Sequence, residues 1–260
     1  MRQLANLRKA DKAHGDDLTL TRWVKEPGRH AKPGATALMP ASATGTRFTS
    51  RVLSPRDMTQ LLVSGHSNVK IGRDVRKGAL KGYWIYTLSL QERATCPTSC
   101  QHWRSCYGNA MPFAKRIDHL DAEFLPRLAE EIERLLSVRG RAGILIRLHA
   151  LGDFYAESYV GFWRSMLMKH DRLAVFGYTA RHPYEPIGQA IDDLKQEVGD
   201  RFAIRWSDGG LDADCTVGIK TAEDRPAGAF VCPEQTGGTT CCATCAACWS
   251  TKRNVAFLAH

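Results

Sequence analysis

From Tyr83 onward the chain alternates apolar runs of strand length with single amphipathic stretches, and nothing else in it constrains the fold as strongly. YWIYTLSL, GILIRLHALGD, LAVFGYT and FAIRWSD are continuous apolar runs rather than strict in–out alternators. Between the first two, DAEFLPRLAEEIERLLSVRG puts Phe124, Leu128, Ile132 and Leu135 on one helical face and stops at Gly140. ESYVGFWRSMLMKH and PIGQAIDDLKQEVGD read as two more helices, with Pro186 suited to the first turn of the second. Strands buried on both faces and joined through helices make βα units around a parallel sheet. With CTVGIK and GAFVC added, about five or six strands are expected, too few for a closed eight-stranded barrel. The expected fold is therefore α/β, an open or partial (β/α) barrel of parallel strands over residues 68–212.

The flanks read differently. Residues 1–67 form a basic N-terminal arm in which Ser54-Pro55 opens a short helix through Leu61, Leu62 and Val63. NVKIGRDVRKGALKGYW, with its glycines, suggests a small hairpin or edge ribbon. Residues 213–260 form a Cys-rich C-terminal extension. The formal net charge is +9, and residues 1–82 hold 16 Lys+Arg against 6 Asp+Glu, whereas residues 83–260 hold 20 against 21. An excess gathered at one end favours a polyanionic partner, nucleic acid and DNA foremost, over a merely solvated arm only by its clustering. No window is apolar for long enough to span a bilayer, and the N-terminus has no apolar core of a secretory signal, so no membrane partner and a cytoplasmic location are expected.

Nine cysteines, odd in number and closely spaced, favour metal ligation over disulfides. Cys96, Cys100 and Cys106 lie in TCPTSCQHWRSCYGN, directly after the first strand of the series. Cys232, Cys241, Cys242, Cys245 and Cys248 lie near the C-terminus, and Cys215 stands alone. C-x2-C-x2-C suits an iron–sulfur cluster, because the two-residue gaps turn successive sulfurs toward different irons. C-x2-C also serves zinc. Cys232 is the expected fourth ligand beside Cys242, Cys245 and Cys248, with Cys241 its competitor. The first group is either a zinc site completed by His102 or a three-thiolate cluster site with one iron open.

In parallel α/β folds chemistry gathers at the C-terminal ends of the strands. Those ends offer His149, Gly152, Asp153 and Tyr155 after the second strand, Tyr178, Thr179 and Arg181 after the third, and Ser207 and Asp208 after the fourth. Plainer roles stand beside these: Asp153 as a helix cap, Tyr178 and Trp206 as core, Arg181 in a surface ion pair, His149 as a satisfied strand-end histidine.

A three-cysteine loop after the first strand of a βα series resembles the radical S-adenosylmethionine enzymes. Their loop is C-x3-C-x2-C with an aromatic neighbour; here the second gap is five residues and Tyr107 follows. The resemblance implies one or two [4Fe–4S] clusters, S-adenosylmethionine and an electron donor. It implies metal ligation by the seven cysteines Cys96, Cys100, Cys106, Cys232, Cys242, Cys245 and Cys248. HALGDFY and RWSDGG supply Gly152, Asp153, Ser207 and Asp208 as cofactor-binding residues, and Asp153, Tyr178, Arg181 and Asp208 are the catalytic candidates it points to. TCPTSC…CYGN, LHALGDFYAESYVGFW, FGYTAR and the terminal C-x2-C-x2-CW also resemble the phage and prophage "gene product 88" domain family over about residues 68–250. That likeness implies a mobile-element setting, and together with the basic arm it suggests a nucleic-acid substrate, such as a base in DNA to be modified. The alternatives are a non-catalytic zinc or iron–sulfur nucleic-acid-binding protein and, last, a metal-dependent nuclease using Asp153, Asp208 and His149.

Overall fold

The computed structural model describes residues 48–97, 99–100, 106–207 and 213–258. The arm over 1–47, with the nucleic-acid contact expected of it, lies outside them, as do His102 and Asp208. The strands are β1 (Val52–Leu53), β2 (Val63–Ser64), β3 (Trp84–Ser89), β4 (Arg116–Ile117), β5 (Ile144–Leu151), β6 (Leu173–Thr179), β7 (Phe202–Ser207), β8 (Cys215–Ile219), β9 (Phe230–Val231) and β10 (Val255–Leu258). The helices are α1 (Glu92–Thr95), α2 (Phe124–Val138), α3 (Glu157–Lys169), α4 (Pro186–Val198), α5 (Cys242–Cys245) and α6 (Ala247–Ser250). β1 and β4 pair apart from the rest; the other eight strands form one open sheet in the order β2-β3-β5-β6-β7-β8-β10-β9. Only β2 runs antiparallel to its neighbour within that sheet.

The α/β class and the parallel sheet are as the alternation requires. The sheet has eight strands rather than five or six, and it does not close into a barrel. β2 and β10 are the additions. β2 lies in the stretch read as a helix after Ser54-Pro55. Ser54 does cap a turn, its Oγ accepting from Arg56 N, but the turn spans only Pro55–Asp57. The next backbone donors go elsewhere: Leu61 N and Leu62 N donate to the Glu131 carboxylate on α2, at 2.7 and 3.4 Å. A tertiary acceptor thus replaces the helical one.

The run after β3 is sequential, β5-β6-β7-β8, and its connecting helices share one layer. Phe124, Leu128 and Ile132 of α2, Trp163 and Leu167 of α3, and Ile191 and Leu194 of α4 pack on Ile144, Ile146, Leu173, Val175 and Ile204, all within 2% of full burial. The opposite face, with Ile85, Leu145, Ala174 and Phe176, is covered by Ile71 and Val75 before β3 and by Ala243, Ala246 and Trp249 of the C-terminal extension. Each large aliphatic chain so buried contributes about 1.5–3 kcal/mol. Cover on both faces is the reason the strands read as unbroken apolar runs. The extension's β8, β9 and β10 continue the same sheet.

Among the described residues no helix is long and apolar enough to cross a membrane.

Candidate functional site

The three-cysteine loop leaves the C-terminal end of β3 through α1, whose C-terminal turn Cys96 closes by donating its N–H to Glu92 O at 3.0 Å. A buried ion pair ties the two ends of the loop together. Arg116 Nε and Nη2 donate to both oxygens of Glu92 at 2.8 and 2.9 Å, and neither side chain is more than 3% exposed. The same guanidinium donates to the carbonyls of Met111, Ala114 and Gly108 at 3.1, 2.6 and 3.1 Å. All five of its donors are used, so the desolvated charge is fully answered.

A second set of bonds holds Thr95 to the ends of β5 and β6. Asp153 N donates to Thr95 Oγ1 at 3.1 Å, and Arg181 Nη2 donates to Thr95 O at 2.7 Å while its Nε donates to Phe154 O at 2.7 Å. The Asp153 carboxylate accepts from Phe154 N, Thr179 Oγ1 and Ala180 N, each at 2.7 Å. Burial pushes its carboxyl up to about 6, against those three bonds and the nearby Arg181 charge. Asp153 therefore ties two strand ends together and does not cap α3, whose N-cap is Ala156. Arg181 makes no surface ion pair but bridges the loop to β5.

Gly152 sits at φ +94, and a Cβ there would lie 2.7 Å from Thr95 Oγ1 and 2.8 Å from Leu90 Cβ. The backbone approach it permits is to Thr95. Gly152→Ala should cost at least about 2 kcal/mol, from left-handed backbone strain plus the overlap. Urea denaturation checks this, and a loss under about 0.5 kcal/mol would show that the loop shifts freely.

Cys100 and Cys106 lie within electrostatic reach of Cys96. Burial pushes the Cys96 thiol well above its ordinary value, and Asp153, Cys106, Cys100 and Glu92 add to the rise.

The C-terminal cysteines sit on the sheet face away from α2, α3 and α4. Cys232, Cys242, Cys245 and Cys248 line one small cavity with Phe230, Pro233 and Trp249. Cys241 does not line it. Its sulfur lies 3.6 Å from Thr244 Oγ1, and a Cβ on Gly72 would stand 2.8 Å from it. Tyr178 Oη donates to Cys248 Sγ at 3.1 Å. Arg205, 1% exposed, donates from Nε to Cys248 O at 3.0 Å and from Nη1 to Arg253 O at 2.8 Å, and Nη2 reaches Thr251 O and Ala247 O. Burial pushes Cys242 up to about 12, with the Cys248 charge adding and the Arg147 charge opposing. Burial likewise raises Cys248, while the Tyr178 hydrogen bond and Arg205 oppose it. Burial therefore favours the protonated thiols, the nearby guanidinium and hydroxyl groups offset it only in part, and a thiophilic metal would displace the protons on binding. Among the described residues no three His, Cys, Asp or Glu are already drawn into metal-ligating geometry. The donor chemistry fits zinc or iron–sulfur at both groups.

The remaining expected residues fall elsewhere. Tyr178 belongs with the C-terminal group, its ring edge-on to Phe257. Ser207 ends β7 opposite Thr216. Tyr155 stacks on Tyr159 at 4.6 Å. Trp206 and Cys215 are core, the Cys215 thiol donating to Ala213 O at 3.4 Å.

His149 is a buried bulge residue. Pairing passes from Thr87↔Arg147 to Ser89↔Leu151, and His149 takes up the slack at φ 57. Its Nε2 meets Tyr159 Oη at 3.2 Å, while Nδ1 has no hydrogen-bond partner among the described residues. Burial lowers its pKa to about 3. The unfolded chain binds this proton near pH 6.5 and the folded one near 3, so the stability it permits is whole above 6.5 and lost as pH falls toward 3, by up to about 1.4 kcal/mol per unit. Asp153, with its raised pKa, acts oppositely, losing stability as pH rises from 3.8 through about 6. His149→Asn, which tolerates the left-handed backbone, should flatten the acid limb of urea-denaturation stability between pH 6.5 and 4; an unchanged slope would assign that limb to other groups.

Arg116, Glu92, Thr95, Arg147 and Arg205 were not legible as site residues. Two of them carried a signal: Arg147 and Arg205 stand inside apolar strand runs, where a charge needs a built partner. Glu92, Thr95 and Arg116 sit in ordinary loop sequence and carried none.

Fold and site together define an α/β protein with a mostly parallel open sheet and two separate cysteine groups. No protein-family model matches the chain, and no characterised protein or solved structure matches it.

Proposed function

We propose that the chain is an iron–sulfur protein of the radical S-adenosylmethionine type that acts on nucleic acid. The observation that carries this reading is the mounting of Cys96, Cys100 and Cys106 at the C-terminal edge of β3, where strand ends of a parallel sheet place their chemistry. Cys96, Cys100 and Cys106 would hold a cluster with one open iron, and Cys232, Cys242, Cys245 and Cys248 a second. When bound, such a cluster supplies the electron that cleaves the sulfonium of S-adenosylmethionine. The chain's own residues hold the loop. Glu92–Arg116 closes it, Thr95–Asp153–Arg181 anchors it to the sheet, and the thiols give up their protons on loading. Arg147 and Arg205 offset the negative charge of the C-terminal thiolates. The motif likeness to the phage gene product 88 family, and the basic arm, support nucleic acid as the substrate and a base modification as the reaction.

A second reading is a non-catalytic zinc or iron–sulfur nucleic-acid-binding protein. Three residues favour it: Gly152 is closed off by Thr95 and Leu90, Asp153 accepts three hydrogen bonds, and Tyr178 faces Cys248. These are residues the radical reading gives to the cofactor or reaction.

Anaerobic purification followed by iron, sulfide and zinc analysis decides the metal. About eight irons per chain are expected for two cubanes. Incubation with dithionite and S-adenosylmethionine should then yield 5′-deoxyadenosine. Zinc without iron would remove the radical reading; a loaded protein yielding no 5′-deoxyadenosine would leave the second one.

A further inference from the structure

The segment just before β3 carries a charged surface that neither cysteine group uses. Residues 68–83 fold back as a ribbon, with Val75 N donating to Tyr83 O at 2.9 Å and Gly82 N to Val75 O at 2.8 Å. Ile71 and Val75 seal it against the sheet. Its outer side presents Lys70, Arg73, Arg76, Lys77 and Lys81, all exposed. Asp74 is the one acid in that stretch, 3.0 Å from Arg73 and 3.3 Å from Arg76. It orients two of the five cations and leaves the surface strongly positive.

The field extends beyond the ribbon. Arg139, at the C-terminal end of α2, lies with its guanidinium carbon 3.7 Å from the Trp84 ring centroid, and Arg73 lies 5.2 Å from the same centroid. Arg139 is fixed further by donating to Tyr86 Oη at 3.0 and 2.7 Å. Two guanidinium groups are thus held against one indole. Arg141 and Arg172, both exposed, stand just before β5 and β6, at the same N-terminal end of the sheet. This face lies toward the N-terminal ends of β3, β5 and β6, whereas the three-cysteine loop leaves the C-terminal end of β3.

We propose that this ribbon, with the adjoining turn after α2, binds the phosphate backbone of duplex DNA. Five exposed cations along one short segment suit the run of negative charge on a duplex. The tip, Lys77-Gly78-Ala79, has no large apolar side chain, and Val69 is the one strongly exposed apolar residue of the ribbon, so charge dominates this face. Three of the five cations are lysines and Asp74 pairs with both arginines, so the contact is assigned to the phosphates. The inference shares its partner with the reading above but needs neither cluster nor catalysis.

The test is fluorescence anisotropy of the full chain with a labelled duplex of about 20 base pairs and the matching single strand, between about 50 and 200 mM salt. The variant is Lys70→Ala/Lys77→Ala/Lys81→Ala. These side chains are exposed, so the fold should be kept, as circular dichroism checks. Duplex binding should weaken about tenfold or more, and the log–log salt slope should fall by about 2–3. Lys115→Ala/Lys220→Ala, also exposed, should leave both unchanged. Wild-type affinity and slope in the ribbon variant, with the loss appearing instead in Arg2→Ala/Arg8→Ala/Lys9→Ala, would move the contact to the arm and overturn the proposal. So would equal, ribbon-dependent binding to vesicles of anionic lipid. Iron content and 5′-deoxyadenosine yield of the ribbon variant should match the wild type, so a failed cluster reading leaves the DNA result standing, and the converse holds.

Discussion

Arg116→Met should destabilise the fold by about 3–5 kcal/mol, the expected cost of leaving a buried carboxylate without its partner. Glu92 is 2% exposed and Arg116 fully buried, so water does not replace the lost bonds. The substitution also frees the carbonyls of Gly108, Met111 and Ala114, all in the stretch that brings the chain back from Cys106. Urea denaturation of the metal-free protein measures the loss without confusing it with metal binding. The double variant Glu92→Leu/Arg116→Met should recover a large part of it, because removing both charges removes the desolvation cost as well. A single-variant loss below about 1 kcal/mol would mean the pair is open to solvent. Loading at the three-cysteine loop should fall in Arg116→Met even where the chain remains folded, since the loop's return path is no longer tied to α1.

The other large effect separates two cysteines of the C-terminal group. Cys248→Ser should abolish stable metal loading of the C-terminal group, whereas Cys241→Ser should leave it intact. Thiolate sites of this kind bind with apparent energies of about 10–16 kcal/mol for zinc in small modules, so one lost ligand shows directly as lost metal. Cys248 lines the cavity and is held by Tyr178 and Arg205 from the sheet, while Cys241 turns to Gly72, Thr240 and Thr244. Metal per chain after gel filtration, with the absorption spectrum, reads the outcome. Equal losses in both variants would give Cys241 a place among the ligands.

How far the site was readable depends on what each residue touches. The strands β3, β5, β6 and β7 and the helices α2, α3 and α4 were legible because each is a local pattern, an apolar run or an apolar stripe at helical spacing; the short α1 and β4 among them were not. Phe124, Leu128, Ile132 and Leu135 all face the core as their spacing requires. The preference for Cys232 over Cys241 was a reading of the sequence; in the structure Cys232 lines the cavity and Cys241 does not, and metal analysis of the variants decides between them. The roles of Gly152, Asp153 and Tyr178 were not legible. Each depends on which neighbour stands across a strand end, and sequence carries that neighbour's identity but not its position. Gly152 looks the same beside a cofactor as beside Thr95.

The order of elements, the parallel sheet and the two cysteine groups were thus determined by sequence alone, because periodicity and spacing are short-range properties of the chain. The tertiary structure decided the rest. It ended the Ser54 turn early by offering Glu131 to Leu61 and Leu62, and it added β2 at one edge of the sheet and inserted β10 between β8 and β9. It laid the C-terminal extension over the second sheet face and turned Tyr178 toward Cys248 and Asp153 toward Thr179. Those outcomes rest on contacts between residues far apart in the chain, 26 positions for Thr179–Asp153 and 70 for Leu61–Glu131 and Tyr178–Cys248, where buried polar groups take whichever partner the packing of the layers brings within reach.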